Sequence, residues 1–324
     1  MSDRSGFGHH TTADEVLDGI DLSGRRVLIT GGASGLGQET ARAMASKGAQ
    51  IIIAARDMDK GKTAMSAIHS VVPNAELEVM QLDLADLDSI RAFTALFLRE
   101  YPRLDLLINN AGVMACPQGK TKDGFEMQFG TNHLGHFLLT NRLRSALDTS
   151  AKEGRKPRVV TLSSRAHHRA GVDLTDPNYQ HAPYEKWEAY GRSKSANALF
   201  ALELDKRARD TGLRSYSVHP GGIMTNLGRH LSQEDVAMLM ARFAQSDDQP
   251  GFKTIPQGAA TSCFAATAPE LDGIGGMYLE DCGQAVVNDD LDSDNAGKRS
   301  WIMDEDVAAK LWALSEDLVG ERFA

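Results

Sequence analysis

The sequence predicts an α/β protein: one doubly wound parallel sheet flanked by helices, in a single domain. Three observations carry this. Short apolar runs of strand length alternate with longer helix-forming segments from Arg25 onward. No internal repeat and no long linker divides them. A glycine cluster, Gly31-Gly32-Ala33-Ser34-Gly35-Leu36-Gly37, stands between the first apolar run and the first helical segment, where a phosphate cradle belongs. Composition agrees, since 324 residues with 42% hydrophobic and 24% charged suffice for a sizeable core. The formal charge of -9 offers no sequence-wide basic field for nucleic acid or anionic lipid. Cys116, Cys263 and Cys282 are widely separated and form no C-x-x-C pair, which points to a reducing compartment and away from zinc. Met1 to Asp14 is polar, with neither the apolar core of a signal peptide nor a run that could span a bilayer. A cytoplasmic protein without a membrane span is therefore expected, with residues 1–20 as a leader and 21–324 as the domain. His9 and His10 read as solvated chain within that leader.

Taken in order, Arg25–Thr30 is a buried strand and Gln38–Lys47 a helix with Ala41, Met44 and Ala45 on one side. Between them the glycines let backbone N–H groups approach a pyrophosphate, and the helix N-terminus supplies partial positive charge. The spacing is Gly31-x-x-x-Gly35-x-Gly37. A second strand, Gln50–Ala55, ends in Arg56-Asp57. The tip of such a strand, about 20 residues beyond the glycines, meets the adenosine ribose: an acid accepts from the 2′-hydroxyl, an arginine pairs with a 2′-phosphate. Ala55 stands where the acid is sought and Arg56 follows, so NADP(H) is expected, with Ser34 as a second phosphate contact. NAD(H), with Asp57 on the ribose, is the alternative. Asp59–Val72 is a helix closed by Pro73-Asn74, and Leu77–Leu82 a third strand before Asp83-Leu84. Asp83 also reads as an N-cap ahead of the helix Asp86–Glu100. Leu104–Ile108 is a fourth strand running into Asn109-Asn110-Ala111-Gly112, small residues suited to close backbone approach.

Phe125–Leu139 reads as one helix, in which Asn132 is a poor helix former among apolar neighbours. His133 and His136 lack a third ligand, so packing is preferred to metal. A polar loop, Thr149–Pro157, leads to the fifth strand, Arg158–Leu162, and then Ser163-Ser164; residues 167–188 are polar. In Tyr190-Gly191-Arg192-Ser193-Lys194 a phenol and an ammonium share one helix face. A nearby lysine cation favours the phenolate, which would suit the pair to acid–base work. The helix continues to Ala208 with an apolar face at Ala198, Leu199, Ala201 and Leu202. Ser215–His219 is a sixth strand, followed by Pro220-Gly221-Gly222-Ile223-Met224-Thr225. Within 226–257, Met238, Leu239, Met240 and Phe243 suggest an amphipathic helix, with the methionines suited to an adaptable pocket or to core packing. Polar Gln245 to Gln249 follow. Gly258–Ala268 is a helix, Gly276–Leu279 the last strand, and Ala308–Leu318 an amphipathic terminal helix. Asp289–Asp294 is a solvated acidic loop without calcium-ligand spacing.

The glycine spacing and Tyr190-x-x-x-Lys194 together resemble the short-chain dehydrogenase/reductase family. Asn132-His133-Leu134-Gly135-His136-Phe137, the long insert before Tyr190 and His219-Pro220-Gly221 narrow the likeness to its retinol-dehydrogenase-like branch, related to the WW-domain oxidoreductase and protochlorophyllide reductase. The likeness covers nearly everything after residue 20 and implies a Rossmann-type fold. It implies hydride transfer between the nicotinamide and an alcohol or carbonyl carbon of a hydrophobic small molecule, retinoid-, steroid- or aromatic-like. Tyr190 would shuttle the proton, Ser164 (with Ser163 as fallback) orient the oxygen, and Lys194 lower the tyrosine pKa and bind the nicotinamide ribose. Asn132 would hold a relay water on its backbone carbonyl. Asp83 and Leu84 would lie against the adenine, and Asn110, Ala111 and Gly112 beside the adenine ribose. Pro220, Gly222, Ile223 and Thr225 would pack the nicotinamide, and 226–257 would close over substrate. A homo-oligomer is left open. Two readings from other classes stand beside this one. An inactive NADPH-binding regulator is disfavoured by the retention of all four catalytic positions, and an interaction protein by the lack of a Trp-containing module before residue 20.

Overall fold

The computed structural model describes residues 6–244, 251–291 and 296–323. Its strands are β1 Arg26–Thr30, β2 Gln50–Ala55, β3 Glu76–Gln81, β4 Leu106–Asn109, β5 Arg158–Leu162, β6 Arg214–His219, β7 Met277–Glu280 and β8 Gly283–Gln284. They form one sheet in the order β3-β2-β1-β4-β5-β6-β7-β8, parallel throughout except for the short antiparallel β7–β8 pair, which the sequence did not suggest. The helices are α1 Ala13–Val16, α2 Gly35–Ala45, α3 Met58–Val71, α4 Leu87–Glu100, α5 Met127–Phe129, α6 Gly135–Arg142, α7 Arg144–Lys152, α8 Lys186–Ala208, α9 Gln233–Ala244, α10 Ile255–Thr267 and α11 Glu305–Val319.

The apolar runs are continuous because both faces of the sheet are covered. Alternate side chains divide between two cores: Val27, Ile29, Ile51, Ile53 and Ile108 pack under α2 and α10, while Leu28, Ile52, Leu107 and Val159 pack under α4, α6, α8 and α11. The strand order reverses between β1 and β4, which opens a crevice at the carboxyl ends of the strands.

Several local expectations change. From Phe7 onward the leader is part of the domain: Thr12 and Glu15 close a capping box on α1, Ala13 and Leu17 are fully buried, and Phe7 meets Phe264 edge-on at 6.3 Å. The apolar faces of α2 and α10 would otherwise meet water. His9 accordingly lies 3.7 Å from the Asp281 carboxylate. The expected single helix over Phe125–Leu139 is interrupted by a π-helical turn at Gly130–Leu134 between α5 and α6. The expected loop from Thr149 is helical to Lys152, the end of α7. In α9, Met238 and Met240 are exposed, so they serve neither a pocket nor the core. The side chain of Phe243, residues 245–250 and residues 292–295 of the acidic loop lie outside the described residues. In the described part of that loop Asp289 accepts from the Ser300 N–H at 2.8 Å. Among the described residues no helix is long and apolar enough to cross a membrane.

Candidate active site

The glycine loop leaves β1 in a conformation that needs glycine. Gly31 has φ +67°, and a Cβ there would lie 2.9 Å from the Ala111 Cα. A Cβ on Gly37 would lie 2.5 Å from both the Gly31 carbonyl and the Asn110 amide nitrogen. α2 begins at Gly35, so the loop itself forms the helix N-terminus that favours an anion. Ser34, its N-cap, makes no side-chain capping bond. Across the cleft Thr225 presents its methyl group, 3.5 Å from where a Gly35 Cβ would be.

Arg56 is exposed at the end of β2. The Asp57 carboxylate caps α3, accepting from the Asp59 and Lys60 N–H groups at 3.1 Å each. Asp83 does not cap the next helix. Asp86 does, through the Asp88 and Ser89 N–H groups, while Asp83 accepts from the Ala85 N–H at 2.9 Å, because the chain turns once more before α4. Leu84 is buried beside it. Asn110 donates to the Thr30 carbonyl at 2.8 Å, and the Thr30 hydroxyl accepts from the Asn110 and Ala111 N–H groups at 2.9 and 3.0 Å.

Asn132 lies in the π turn, fully buried. Its side-chain oxygen accepts from the Val113 N–H at 2.9 Å, and its amide donates to the Val113 carbonyl at 2.9 Å and the Ser193 hydroxyl at 3.0 Å. A Cβ on Gly112 would lie 3.0 Å from that side-chain oxygen. The Asn132 backbone carbonyl accepts from His136 Nδ1 at 2.9 Å. A carbonyl only accepts, so the ring proton is on Nδ1 and Nε2 accepts from the Thr30 hydroxyl at 2.9 Å. His133 instead meets the Ser315 hydroxyl at 2.7 Å. Among the described residues no three groups are placed to hold a metal.

The two serines after β5 separate in role. Ser163, buried, donates to the Lys194 carbonyl at 2.8 Å; Ser164, half-buried, hydrogen-bonds the Tyr190 phenol. Lys194 donates to the Leu162 carbonyl at 2.9 Å, and its Nζ is 5.6 Å from the Tyr190 ring centre. Both residues are buried, and that reverses a sequence expectation. Burial raises Tyr190 to about 12, against which the Ser164 hydrogen bond pulls downward, and burial lowers Lys194 to about 7. Loss of water around the charged form is the first cause of both shifts.

A cavity of about 430 Å³ connects these parts. Gly31, Ser34, Gly35 and Leu36 of the glycine loop, Asn110 to Gly112, Ser164, Tyr190, Lys194 and Pro220 to Thr225 line it. The lining also holds the apolar side chains of Met114, Trp187, Leu231, Val236, Leu239 and Phe252, together with Arg165, Arg169 and Arg229. Gly37, Arg56, Asp83, Leu84 and Asn132 lie outside the lining. Trp187 was overlooked at the sequence level; its signal was the spacing of three to Tyr190, which brings the rings edge-on at 6.5 Å. Thr30 and His136 gave no readable signal of their joint role.

Residues 25–236 match the family model described as short chain dehydrogenase. The chain is 40% identical over 321 residues to the Brassica napus short-chain dehydrogenase TIC 32 B, chloroplastic, covering 98% of this chain and 95% of that one. It is 42% identical over 308 residues to human retinol dehydrogenase 12, covering 94% and 89%. A crystal structure of an uncharacterised protein from Mycobacterium paratuberculosis superposes with a TM-score of 0.73 at 35% identity, covering 97% of this chain and 99% of that one.

Proposed function

The chain belongs to the short-chain dehydrogenase family and is a hydride-transferring oxidoreductase of the CH–OH/C=O class, and from that premise we propose that it uses NADP(H) to interconvert a bulky apolar carbonyl and its alcohol. The observation that carries the substrate reading is the apolar cluster of Met114, Trp187, Leu231 and Leu239 packed around Tyr190 at the apolar end of the cavity lining. Two human relatives are named retinol dehydrogenases, which agrees with an apolar substrate. Support for the phosphorylated cofactor comes from Arg56, exposed at the strand tip, and from Asp57, whose carboxylate is occupied by the α3 cap. An uncapping Ser34 hydroxyl suits a second phosphate contact.

The residues present fit such a nucleotide: glycines that no Cβ could replace, a helix N-terminus for the pyrophosphate, and Asn110 to Gly112 and Pro220 to Thr225 as the two walls of the cleft. When bound, the nicotinamide supplies or accepts the hydride. The chain supplies the proton and the geometry. Tyr190, raised to about 12, is a neutral phenol at pH 7 and serves as the acid in carbonyl reduction. Its hydroxyl is hydrogen-bonded to that of Ser164 and both residues line the cavity, so the two together would hold the substrate oxygen. Oxygen-bound charge is stabilised there by donors fixed in advance. Lys194, anchored on the Leu162 carbonyl and lining the same cavity, would bind the sugar next to the nicotinamide. Asn132 holds the segment carrying Val113 under the cleft through its side chain, and we keep its backbone carbonyl as the relay position. The three cysteines are buried and form no disulfide among the described residues, which agrees with a reducing compartment, and we retain the cytoplasm as the proposed location.

A screen of apolar aldehydes, ketones and alcohols with NADPH/NADP⁺ and NADH/NAD⁺, using Arg56→Ala and Tyr190→Phe, tests this reading. Wild type should prefer the phosphorylated cofactor, and Arg56→Ala should weaken NADPH by about 10- to 100-fold, the equivalent of a lost charge-assisted bond, with NADH little changed. Tyr190→Phe should lose about 10²- to 10⁴-fold in turnover. Preference for NADH that Arg56→Ala leaves intact would overturn the cofactor assignment, and turnover surviving in Tyr190→Phe would remove the phenol from the chemistry.

A further inference from the structure

Asp235 makes more contacts than a first-turn acid on α9 requires. Its side chain is buried, and it joins two elements of the substrate end of the cavity. One oxygen accepts from the Trp187 indole N–H at 2.9 Å. The other accepts from the Lys186 ammonium at 2.5 Å, from the Ser232 N–H at 2.8 Å and from the Ser232 hydroxyl at 2.9 Å. Ser232 returns a bond by accepting from the Asp235 N–H at 3.1 Å. The first two donors belong to the start of α8, the helix of Tyr190; the last two belong to the segment entering α9. These bonds to the charged form hold the carboxyl well below the usual carboxylate range.

The joined elements are the walls of the apolar chamber. Trp187 stands edge-on to Tyr190 at 6.5 Å, and Leu231 and Leu239 pack against the Trp187–Tyr190 cluster. Val236 and Leu239 reach the cavity from α9. Their neighbours on α9, Met238 and Met240, are exposed. The indole has one donor, so the bond to Asp235 fixes how its ring faces Tyr190.

We propose that Asp235 is a positioning residue for substrate specificity: its carboxylate ties α9 to the amino end of α8 and thereby sets the shape of the chamber that receives the apolar body of the substrate. It rests on the reading of Tyr190 as the proton-transfer group and of the apolar end as the substrate end. The residue touches neither substrate nor reacting atoms. Its loss therefore acts through Trp187, Val236 and Leu239. The chamber loosens, bulky substrates lose their fit, and small ones keep theirs.

The test compares wild type, Asp235→Asn, Asp235→Ala and Lys186→Met on a small aliphatic aldehyde and on bulky polycyclic or polyene aldehydes, with NADPH affinity and hydrogen exchange of the 231–241 amides measured in parallel. Expected are a rise of about tenfold in KM for the bulky aldehydes in Asp235→Ala with kcat within about threefold. Smaller rises should follow in Asp235→Asn, which keeps one acceptor oxygen, and in Lys186→Met. NADPH affinity and turnover of the small aldehyde should stay within about twofold, and exchange over 231–241 should quicken in the order Met, Asn, Ala. Equal losses on small and bulky aldehydes, or unchanged exchange in the Asn and Met variants, would overturn the proposal. Should Asp235→Ala fail to fold, the two milder variants decide it. If wild type turns over no aldehyde, the functional reading fails, and the exchange series by itself still decides whether Asp235 ties the two helices.

Discussion

Replacing Asn132 by alanine separates what its side chain does from what its backbone does. The side chain is fully buried and makes three bonds, two of them to the N–H and carbonyl of Val113 and one to Ser193. Ser193 keeps a partner, since its hydroxyl also donates to the Tyr190 carbonyl at 2.8 Å. The Val113 pair loses its partners in Asn132. At about 1–3 kcal/mol for each buried group left unpaired, the cost is roughly 2–6 kcal/mol, reduced wherever water can enter the space. Urea unfolding followed by far-UV circular dichroism would read this as a lower midpoint at unchanged slope. The backbone carbonyl and its bond from His136 remain in the variant, so the kinetic loss measured under conditions where the variant is folded reports only the displaced segment around Val113. A variant within about 0.5 kcal/mol of wild type, the range of ordinary surface changes, would refute the assignment of a structural clamp to this side chain.

Two further outcomes are expected. Gly37→Ala should fold but bind the nicotinamide nucleotide poorly, because its Cβ would press on the Gly31 carbonyl and Asn110 at 2.5 Å; affinity within twofold of wild type, by calorimetric titration, would contradict the tight-loop account. Burial lowers His133 to about 3, His136 to about 4 and His167 to about 3 from the ordinary 6.5, so below pH 6.5 the unfolded chain binds protons that the folded one refuses. Stability present above that pH is then lost on acidification toward 4, by up to about 1.4 kcal/mol per pH unit for each histidine, and equal urea midpoints at pH 7 and pH 5 would contradict it.

Most of the sheet and much of the site could be read from the chain because their signals are local. Strands β1, β2, β4 and β5 each show as an apolar run and β3 as an alternating one, and their order of arrival with intervening helices points to parallel pairing. The glycine loop, Asn110 to Gly112, Ser164 and the Tyr190–Lys194 pair each sit at the end of such a run or on one helix face, and all of them gather at one end of the sheet. What went unread has little periodic signal: the π turn around Asn132, the two-residue strand β8 and the packing of α1 on the domain.

The sequence by itself determined the fold class and the family and offered the candidate residues of the site, since these depend on residue type and spacing along a few turns or strands. Only the tertiary structure decided how those residues are electrostatically poised and what braces them. Tyr190 rises and Lys194 falls because helices and sheet close over both and remove water from their charged forms. Thr30, Asn132 and His136 become one network, and Asp235 meets Trp187, because segments 48 to 106 residues apart are brought within hydrogen-bond distance. Such contacts are made by packing between elements, and no spacing along the chain announces them.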